Sequence, residues 1–492
     1  MNSSEARNGI RLTAALLALL ILLTAFAACG SGGGGSDVNT AETSTPEETE
    51  AAETELKPDL PDKDFGGKTF NIFGWTHAGT EFCIEEESGD VIEDAIFHRD
   101  SATEELFNVD ITCEIREGGP SAWASWIGTV ENSILAGDDA YQLVAGYGYR
   151  LAAATINGNY RNLANTNYLD ISMPWWSGDL VETSSIGGAL YLVFGHLGLS
   201  YLKNAYAIYY NKTIAEDLGH TDLYETVDSG GWTFDELKAR SKGAVLDLNG
   251  DGVFDSNDRY GYLTGPNMDV DAYLNAFDVP CTEYDSDGMP VILPLSEKMQ
   301  NTIDLLHDFF FVTGDAFYTR TDSLKDLFRA EQGLFATMTI GTSGDLRDME
   351  SDFGFLPYPQ YDDKQDEYRS FIACHNTTGF CIPITADEEL STIVTEYMAY
   401  ESYKSVRPAY YDVALKSKYT RDPDSERMLD LIYSTVVYDF TLVYSFAFGD
   451  QEAPSMMLRM TLKKNSTDIA SMYAARTEKW AGTLETLISG LA

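Results

Sequence analysis

Lys68-Thr69-Phe70-Asn71-Ile72-Phe73-Gly74-Trp75 reads as a β-strand whose end is marked by a glycine, and the segments that follow it set the fold class. Val91 to Phe107 has helical character, Val109 to Arg116 is strand-like, and Ala122 to Leu135 forms a second helix closed by Gly137. Tyr141-Gln142-Leu143-Val144-Ala145 is then short and apolar, as a buried strand is. Strands alternating with helices of this length predict βαβ units around a parallel sheet. Ligands of such sheets sit beyond the carboxyl ends of the strands. Trp75 and Tyr147, each expected just past a strand, therefore fall on the functional edge.

A second unit starts near Ala205. Tyr206 to Tyr210 predicts a strand, and Asn211 to Leu218 a helix stopped by Gly219. Thr233, with Glu236 three residues on, forms the pattern of a capping box that satisfies two orphan amides. Trp232, one position before the cap, is expected to staple onto that helix. Further helices are predicted over Glu297 to Phe311, Asp322 to Ala330, Asp387 to Tyr403 and Asp424 to Thr435, the third with a capping box of Thr385 and Glu388. The chain has 492 residues. About 430 of them follow position 64, which by the usual domain size means two domains or one bilobed unit.

The N-terminal part has a different character. Arg7 and Arg11 precede an apolar run from Leu12 to Ala28, the length of a signal-peptide core rather than a membrane span. Phe26-Ala27-Ala28-Cys29 looks like the lipobox of bacterial lipoproteins, with Phe26 where Leu is usual, and implies that Cys29 is diacylated after removal of a signal peptide at 1–28. Residues 29–64 then form a tether, first Gly/Ser-rich and then acidic, which lacks the apolar content to fold. No later apolar run approaches a membrane helix in length, so the remainder is read as soluble. The formal charge of −45 excludes nucleic acid as a partner. Six cysteines become five once Cys29 is lipidated. Spacing favours a Cys374–Cys381 bridge over Cys83–Cys113 without deciding either, and Cys281 has no evident partner. The lack of any CxxC or Cys/His cluster argues against zinc and redox roles.

Asp247-Leu-Asn249-Gly-Asp251-Gly252-Val253-Phe254-Asp255-Ser-Asn-Asp258 has the ligand spacing of a twelve-residue calcium loop. Side-chain oxygens fall at positions 1, 3, 5, 9 and 12 (Asp247, Asn249, Asp251, Asp255, Asp258). Gly252 occupies the sharp turn, Val253 supplies a carbonyl, and Phe254 is expected to plug inward. Asp258 replaces the Glu that chelates bidentately in EF-hands. A structural Ca2+ is expected here.

Tyr209-Tyr-Asn-Lys212, Gly231-Trp-Thr-Phe-Asp-Glu236, Gly333-Leu-Phe-Ala-Thr-Met338 and Asp352-Phe-Gly-Phe-Leu-Pro357 together resemble the extracellular solute-binding proteins of family 1, the maltose-binding-like class that serves ABC importers. The resemblance implies an α/β, two-lobed periplasmic-binding-protein-like fold with hinge crossings and a ligand cleft between the lobes. It places 67–205 with 373–405 in lobe 1 and 206–372 with 406–492 in lobe 2. Maltose-binding relatives stack sugar on a Trp after the Ala-Met strand. Here that stretch, Gly341-Thr-Ser-Gly-Asp345, has no aromatic, so contacts must come from elsewhere.

Sugars need flat apolar faces and polar rims. The candidate faces are Trp75, Tyr147, Tyr149, Trp175 and the Tyr410-Tyr411 pair. Asp179, Asn204, Asp269 and Arg407 are the candidate polar contacts. The expected protein is a monomeric, non-enzymatic lipoprotein on the outer face of the bacterial cytoplasmic membrane. Its expected partners are a sugar or oligosaccharide, ABC permease subunits and the membrane. A binder of a cationic solute and a surface glycan adhesin or sensor stand as alternatives. A glycoside hydrolase would need a carboxylate pair across the scissile bond, and no pair is singled out.

Overall fold

The computed structural model describes residues 56–320, 322–415 and 423–490. The expected signal peptide, Cys29 and the expected tether up to residue 55 lie outside the described residues. Among the described residues no helix is long and apolar enough to cross a membrane.

Two sheets organise the chain. The first is built from β1 (Lys68–Trp75), β2 (Val109–Arg116), β3 (Leu143–Tyr147) and a strand from far along the sequence, Thr378–Cys381. Between β1 and β2 runs the Val91–Phe107 helix, which Asp90 caps by accepting the amides of Ile92 and Glu93. Between β2 and β3 runs Trp123–Ala136, which ends because Gly137 takes the left-handed conformation (φ 74°) that terminates helices at low cost. β1 pairs in parallel with both β2 and β3, so the carboxyl ends of β1 and β3 emerge side by side.

The second sheet contains β4 (Tyr206–Asn211), β5 (Tyr260–Thr264), β8 (Ala316–Tyr318), β9 (Gly333–Thr339) and β10 (Phe353–Leu356), in the order β10-β4-β9-β5-β8. A short hairpin, β6 (Thr282–Tyr284) with β7 (Pro290–Ile292), stands apart. The Thr378–Cys381 strand, β11, lies antiparallel to β3 and completes the first sheet in the order β11-β3-β1-β2. The second sheet is fully buried along β5, all five of whose residues are covered, as expected for a strand packed on both faces.

Three segments run between the sheets and hydrogen-bond to one another. Ala205 bridges Ile372, and Tyr206 N donates to Phe371 O at 3.0 Å. Ser370 in turn bridges Val436, with Ser370 N on Thr435 O at 2.8 Å and Val437 N on Ser370 O at 3.1 Å. The crossings thus form a narrow ribbon. Residues from Lys57 onward make one compact unit in this conformation.

Several local expectations are corrected. The disulfide joins Cys83 to Cys113, whose Cα atoms are 6.2 Å apart, while Cys281, Cys374 and Cys381 are free and buried. Cys374 and Cys381 are separated by the extended β11, which carries the second sulfur away from the first. The helix predicted from Asp387 starts at Glu388, and Asp387, not Thr385, is its cap, accepting the Leu390 amide. At the Thr233 cap only half of the box forms. Thr233 Oγ1 accepts the Glu236 amide, but the Glu236 carboxylate turns to Arg240 Nε at 2.7 Å. Phe254 is 53% exposed. A position-8 residue plugs inward when paired helices build a core behind the loop, and here the loop is flanked by the Leu246–Arg259 bridge instead.

Candidate functional site between the two sheets

The parallel register of β1 and β3 brings their last residues together, so that Trp75 and Tyr147 stack with ring centroids 4.5 Å apart and planes 16° from parallel. Both are strand residues rather than loop residues. The Trp75 indole N–H donates to Thr378 Oγ1 on β11 at 3.0 Å, which fixes the ring from the other side of the sheet. Tyr149, in the first turn of the following helix, meets Tyr147 edge-on at 5.0 Å and lies 4.1 Å from the His375 ring. Gly148 between the two tyrosines allows this approach. A Cβ there would stand 2.7 Å from the Thr377 carbonyl oxygen and 2.8 Å from that of Cys374. The Arg150 guanidinium covers Phe446 at 4.4 Å, and its Nε donates to the Tyr149 hydroxyl at 3.1 Å. Burial pushes the Tyr147 phenol up to about 12, so it acts as a neutral donor.

The facing wall is polar. The Met268–Ala276 helix carries Asp269 and Asp271, both buried, and the Met457–Leu462 helix presents Arg459, whose Nη1 lies 3.2 Å from Asp271 Oδ2. Burial pushes Asp269 up to about 7. It also raises Asp271, against the opposing pull of Arg459 and His375. Tyr358, just past β10, donates its hydroxyl to the Asp269 carbonyl at 3.1 Å. Asp450 closes one end at φ 58°, with Oδ1 3.6 Å from His375 Nε2. The imidazole beside it holds its carboxyl below the usual range. His375, packed on the Tyr149 ring, is thus also the neighbour of Asp450.

No family model and no curated protein matches the sequence. Solved structures do match. A cyclo/maltodextrin-binding protein complexed with maltotetraose aligns over 83% of this chain and 98% of its own, at 13% identity and a TM-score of 0.54. An ABC transporter solute-binding protein from Thermotoga lettingae bound with α-D-tagatose aligns over 87% and 100%, at 14% identity and a TM-score of 0.51. UgpB from Mycobacterium tuberculosis, in complex with glycerophosphocholine, aligns over 86% and 99%, at 14% identity and a TM-score of 0.51. The chain has the two-lobed solute-binding-protein fold.

Within this solute-binding fold, the structure brings Trp75, Tyr147 and Tyr149 together, and Asp269 lies buried on the Met268–Ala276 helix beside Asp271. The other candidates lie elsewhere. Trp175 is a core residue, fully buried, with its indole N–H on Glu396 Oε1 at 2.9 Å. Its neighbour Trp176 donates to Oε2 of the same carboxylate at 2.7 Å. Asp179 accepts the Tyr438 amide and lines a separate crevice of about 300 Å3 beside the crossings. Asn204 sits on the first crossing, with Nδ2 on Asn376 O at 2.7 Å. Arg407 is held between the Tyr403 and Tyr411 rings and pairs with Asp430 at 2.5 Å. Tyr410 and Tyr411 are buried in the same layer.

Sequence reasoning missed Arg150, Asp271, His375, Phe446, Asp450 and Arg459. Only Asp271 left a signal, since it shares a helical turn with Asp269. In the 247–258 loop, Asp247 accepts the Gly250 and Gly252 amides, Asp251 accepts Val253, and Asp258 accepts Leu248 and Asp255. Among the described residues no group of three or more His, Cys, Asp or Glu side chains is placed to hold a metal ion. As arranged here, the loop carboxylates serve their own backbone rather than converge on a common centre.

Proposed function

We propose that this protein is the membrane-anchored, extracellular substrate-binding component of an ABC importer, and that it captures a carbohydrate or oligosaccharide by closing its two lobes. The carrying observation is the pairing of walls. The first sheet and the helix that follows β3 contribute a contiguous aromatic face (Trp75, Tyr147, Tyr149), and the Met268–Ala276 and Met457–Leu462 helices contribute buried carboxylates and a guanidinium (Asp269, Asp271, Arg459). Aromatic planes suit the C–H faces of sugars, and the polar groups suit their hydroxyls. Maltotetraose and α-D-tagatose are bound by proteins of the same fold. The ribbon of crossings supplies a hinge. A solute touching both walls favours the closed state by its differential contacts. Anchoring through Cys29 rests on the sequence of residues 26–29 alone, and a Cys29→Ala variant is expected in the medium rather than in the membrane fraction.

Isothermal titration calorimetry against neutral oligosaccharides, with spermidine as the cationic probe, tests this reading. Heat from saccharides in the wild type and its loss in Trp75→Ala is the expected result. Heat from spermidine alone would favour the second reading, a cationic solute, which Asp269, Asp271 and Asp450 at the site support. We further propose that Ca2+ stabilises the 247–258 loop. Its ligand spacing and the turn at Gly252 (φ 77°) support this. The loop carboxylates would have to turn from their amides to the ion, and no step of solute capture is routed through it.

A further inference from the structure

Trp75 is held by a chain of hydrogen bonds that ends on a buried carboxyl. Its indole N–H donates to Thr378 Oγ1 at 3.0 Å, the Thr378 amide donates to Ser200 Oγ at 2.9 Å, and the Ser200 amide donates to Glu81 Oε1. The links come from four places: the end of β1, the first residue of β11, the Leu199–Lys203 helix and the residue after the Thr76–Thr80 turn. Glu81 is 1% exposed, and its other oxygen, Oε2, has no hydrogen-bond partner among the described residues. Buried polar atoms are almost always satisfied, so a carboxyl sealed in with one idle oxygen asks for an explanation.

The charges packed around Glu81 leave it to these bonds. Arg99, on the Val91–Phe107 helix, donates Nη2 to the Glu81 backbone carbonyl at 2.8 Å and Nε to Asp100 Oδ1 at 2.8 Å, so its guanidinium serves the main chain and Asp100. Lys203, at the end of the Leu199–Lys203 helix, favours the Glu81 anion. From β11 come Thr378 and Phe380, both uncharged. Burial raises the carboxyl above its ordinary range, and the Ser200 and Thr378 hydroxyls pull the other way. Both hydroxyl oxygens already accept an N–H, so each has its single proton to give. An ionised Glu81 takes such protons. A protonated Glu81 is itself a donor, and it must aim its proton at an oxygen that the chain already uses.

We propose that Glu81 is a positioning residue for the aromatic wall: through Ser200 and Thr378 it fixes the Trp75 indole, and with it the plane that Trp75 shares with Tyr147. What that plane receives rests on the carbohydrate reading above, whereas the hold on the ring is a property of the chain by itself. Discharging Glu81 loosens the indole. Saccharide affinity therefore falls as pH drops through the Glu81 transition, and it is fullest where the carboxyl is ionised.

The test reads the ring directly. The chain has seven tryptophans, and heteronuclear NMR resolves their indole N–H groups; the Trp75 resonance is the one missing from Trp75→Phe. In the wild type it is expected to move with pH in a single transition above the usual carboxylate range, and in Glu81→Gln to stay put. His77, whose ring lies 4.4 Å from that of Trp75, is common to both proteins, so only the movement lost in Glu81→Gln is read. Should Glu81→Gln fail to fold, Thr378→Val cuts the chain beside the indole and must abolish the same movement. In calorimetry with maltotriose, Glu81→Gln should weaken binding by about twofold to tenfold, the worth of one hydrogen bond. It should add nothing in the Trp75→Phe background, where the N–H it works through is gone. Equal weakening in both backgrounds would mark Glu81 as merely structural and overturn the proposal. So would a Trp75 resonance that ignores pH in the wild type or follows it alike in Glu81→Gln. If maltotriose does not bind and the resonance behaves as expected, the carbohydrate reading fails and the hold of Glu81 on the ring stands.

Discussion

Glu396 accepts two indole N–H groups, from Trp175 at 2.9 Å and Trp176 at 2.7 Å, while almost wholly buried. Burial is the largest influence on it and pushes its carboxyl from the usual 4.5 up to about 8, against the indoles, which favour the anion. A carboxyl whose pKa is higher folded than unfolded binds more protons in the native state throughout the window between the two values. Stability therefore falls as pH rises from about 4.5 to about 8, and it is flat outside that window. At about 1.4 kcal/mol per pH unit, the two endpoints set an upper bound of about 5 kcal/mol on the change.

Glu396→Gln removes the titration while keeping one acceptor, at the cost of setting its NH2 against one indole. The variant should be less stable at pH 5, by about 1–3 kcal/mol for one orphaned N–H. The gap should narrow and then invert as pH rises, because only the wild type bears a buried charge. Urea unfolding followed by tryptophan fluorescence at pH 5, 6, 7 and 8 measures both curves. Asp269, also raised, contributes the same slope to both proteins and cancels in the difference. Parallel curves would refute the reasoning and show that the indole donors, not burial, set the protonation of Glu396.

Gly148→Ala places a methyl against two backbone carbonyls. It should cost about 1–3 kcal/mol by overpacking and weaken saccharide binding, since Tyr147, Tyr149 and His375 all shift; a Tm scan with calorimetry reads both. The Cys83–Cys113 bridge closes a loop with a sequence separation of 30. Cys83→Ser with Cys113→Ser should remove about 3.5 kcal/mol, seen as a lower urea midpoint that reductant no longer changes. Ca2+ added after chelation should raise the Tm of the wild type and leave an Asp247→Ala, Asp251→Ala variant unmoved; equal response of the two would remove the calcium proposal.

The first sheet was readable because its signals are local. β1, β2 and the Val91–Phe107 helix fall on the predicted residues, since Gly, Asp and apolar spacing act within a few positions. β3 was expected two residues early because Gly146 and Tyr147 owe their strand conformation to β11, which arrives more than 200 residues later and leaves no trace in the Tyr141–Tyr147 sequence. The same distance explains the site. Trp75 and Tyr147 could be placed at neighbouring strand ends because strand ends are predictable. His375, Asp450 and Arg459 are brought to them by the crossings and the C-terminal helices, which no local pattern announces. Trp175 was misplaced because an aromatic residue in a polar stretch reads alike whether its indole meets solute or, as here, the buried Glu396.

Phe446, Asp450 and Arg459 belong to the final tenth of the polypeptide, yet they meet Tyr149, His375 and Asp271 from far earlier in the chain. A ribosome that has released everything up to Val443 has delivered both sheets and every crossing, but an incomplete candidate site. The candidate site is thus completed late, by helices that also bury Met457, Leu462 and Trp480, so that C-terminal trimming should take stability and the site together.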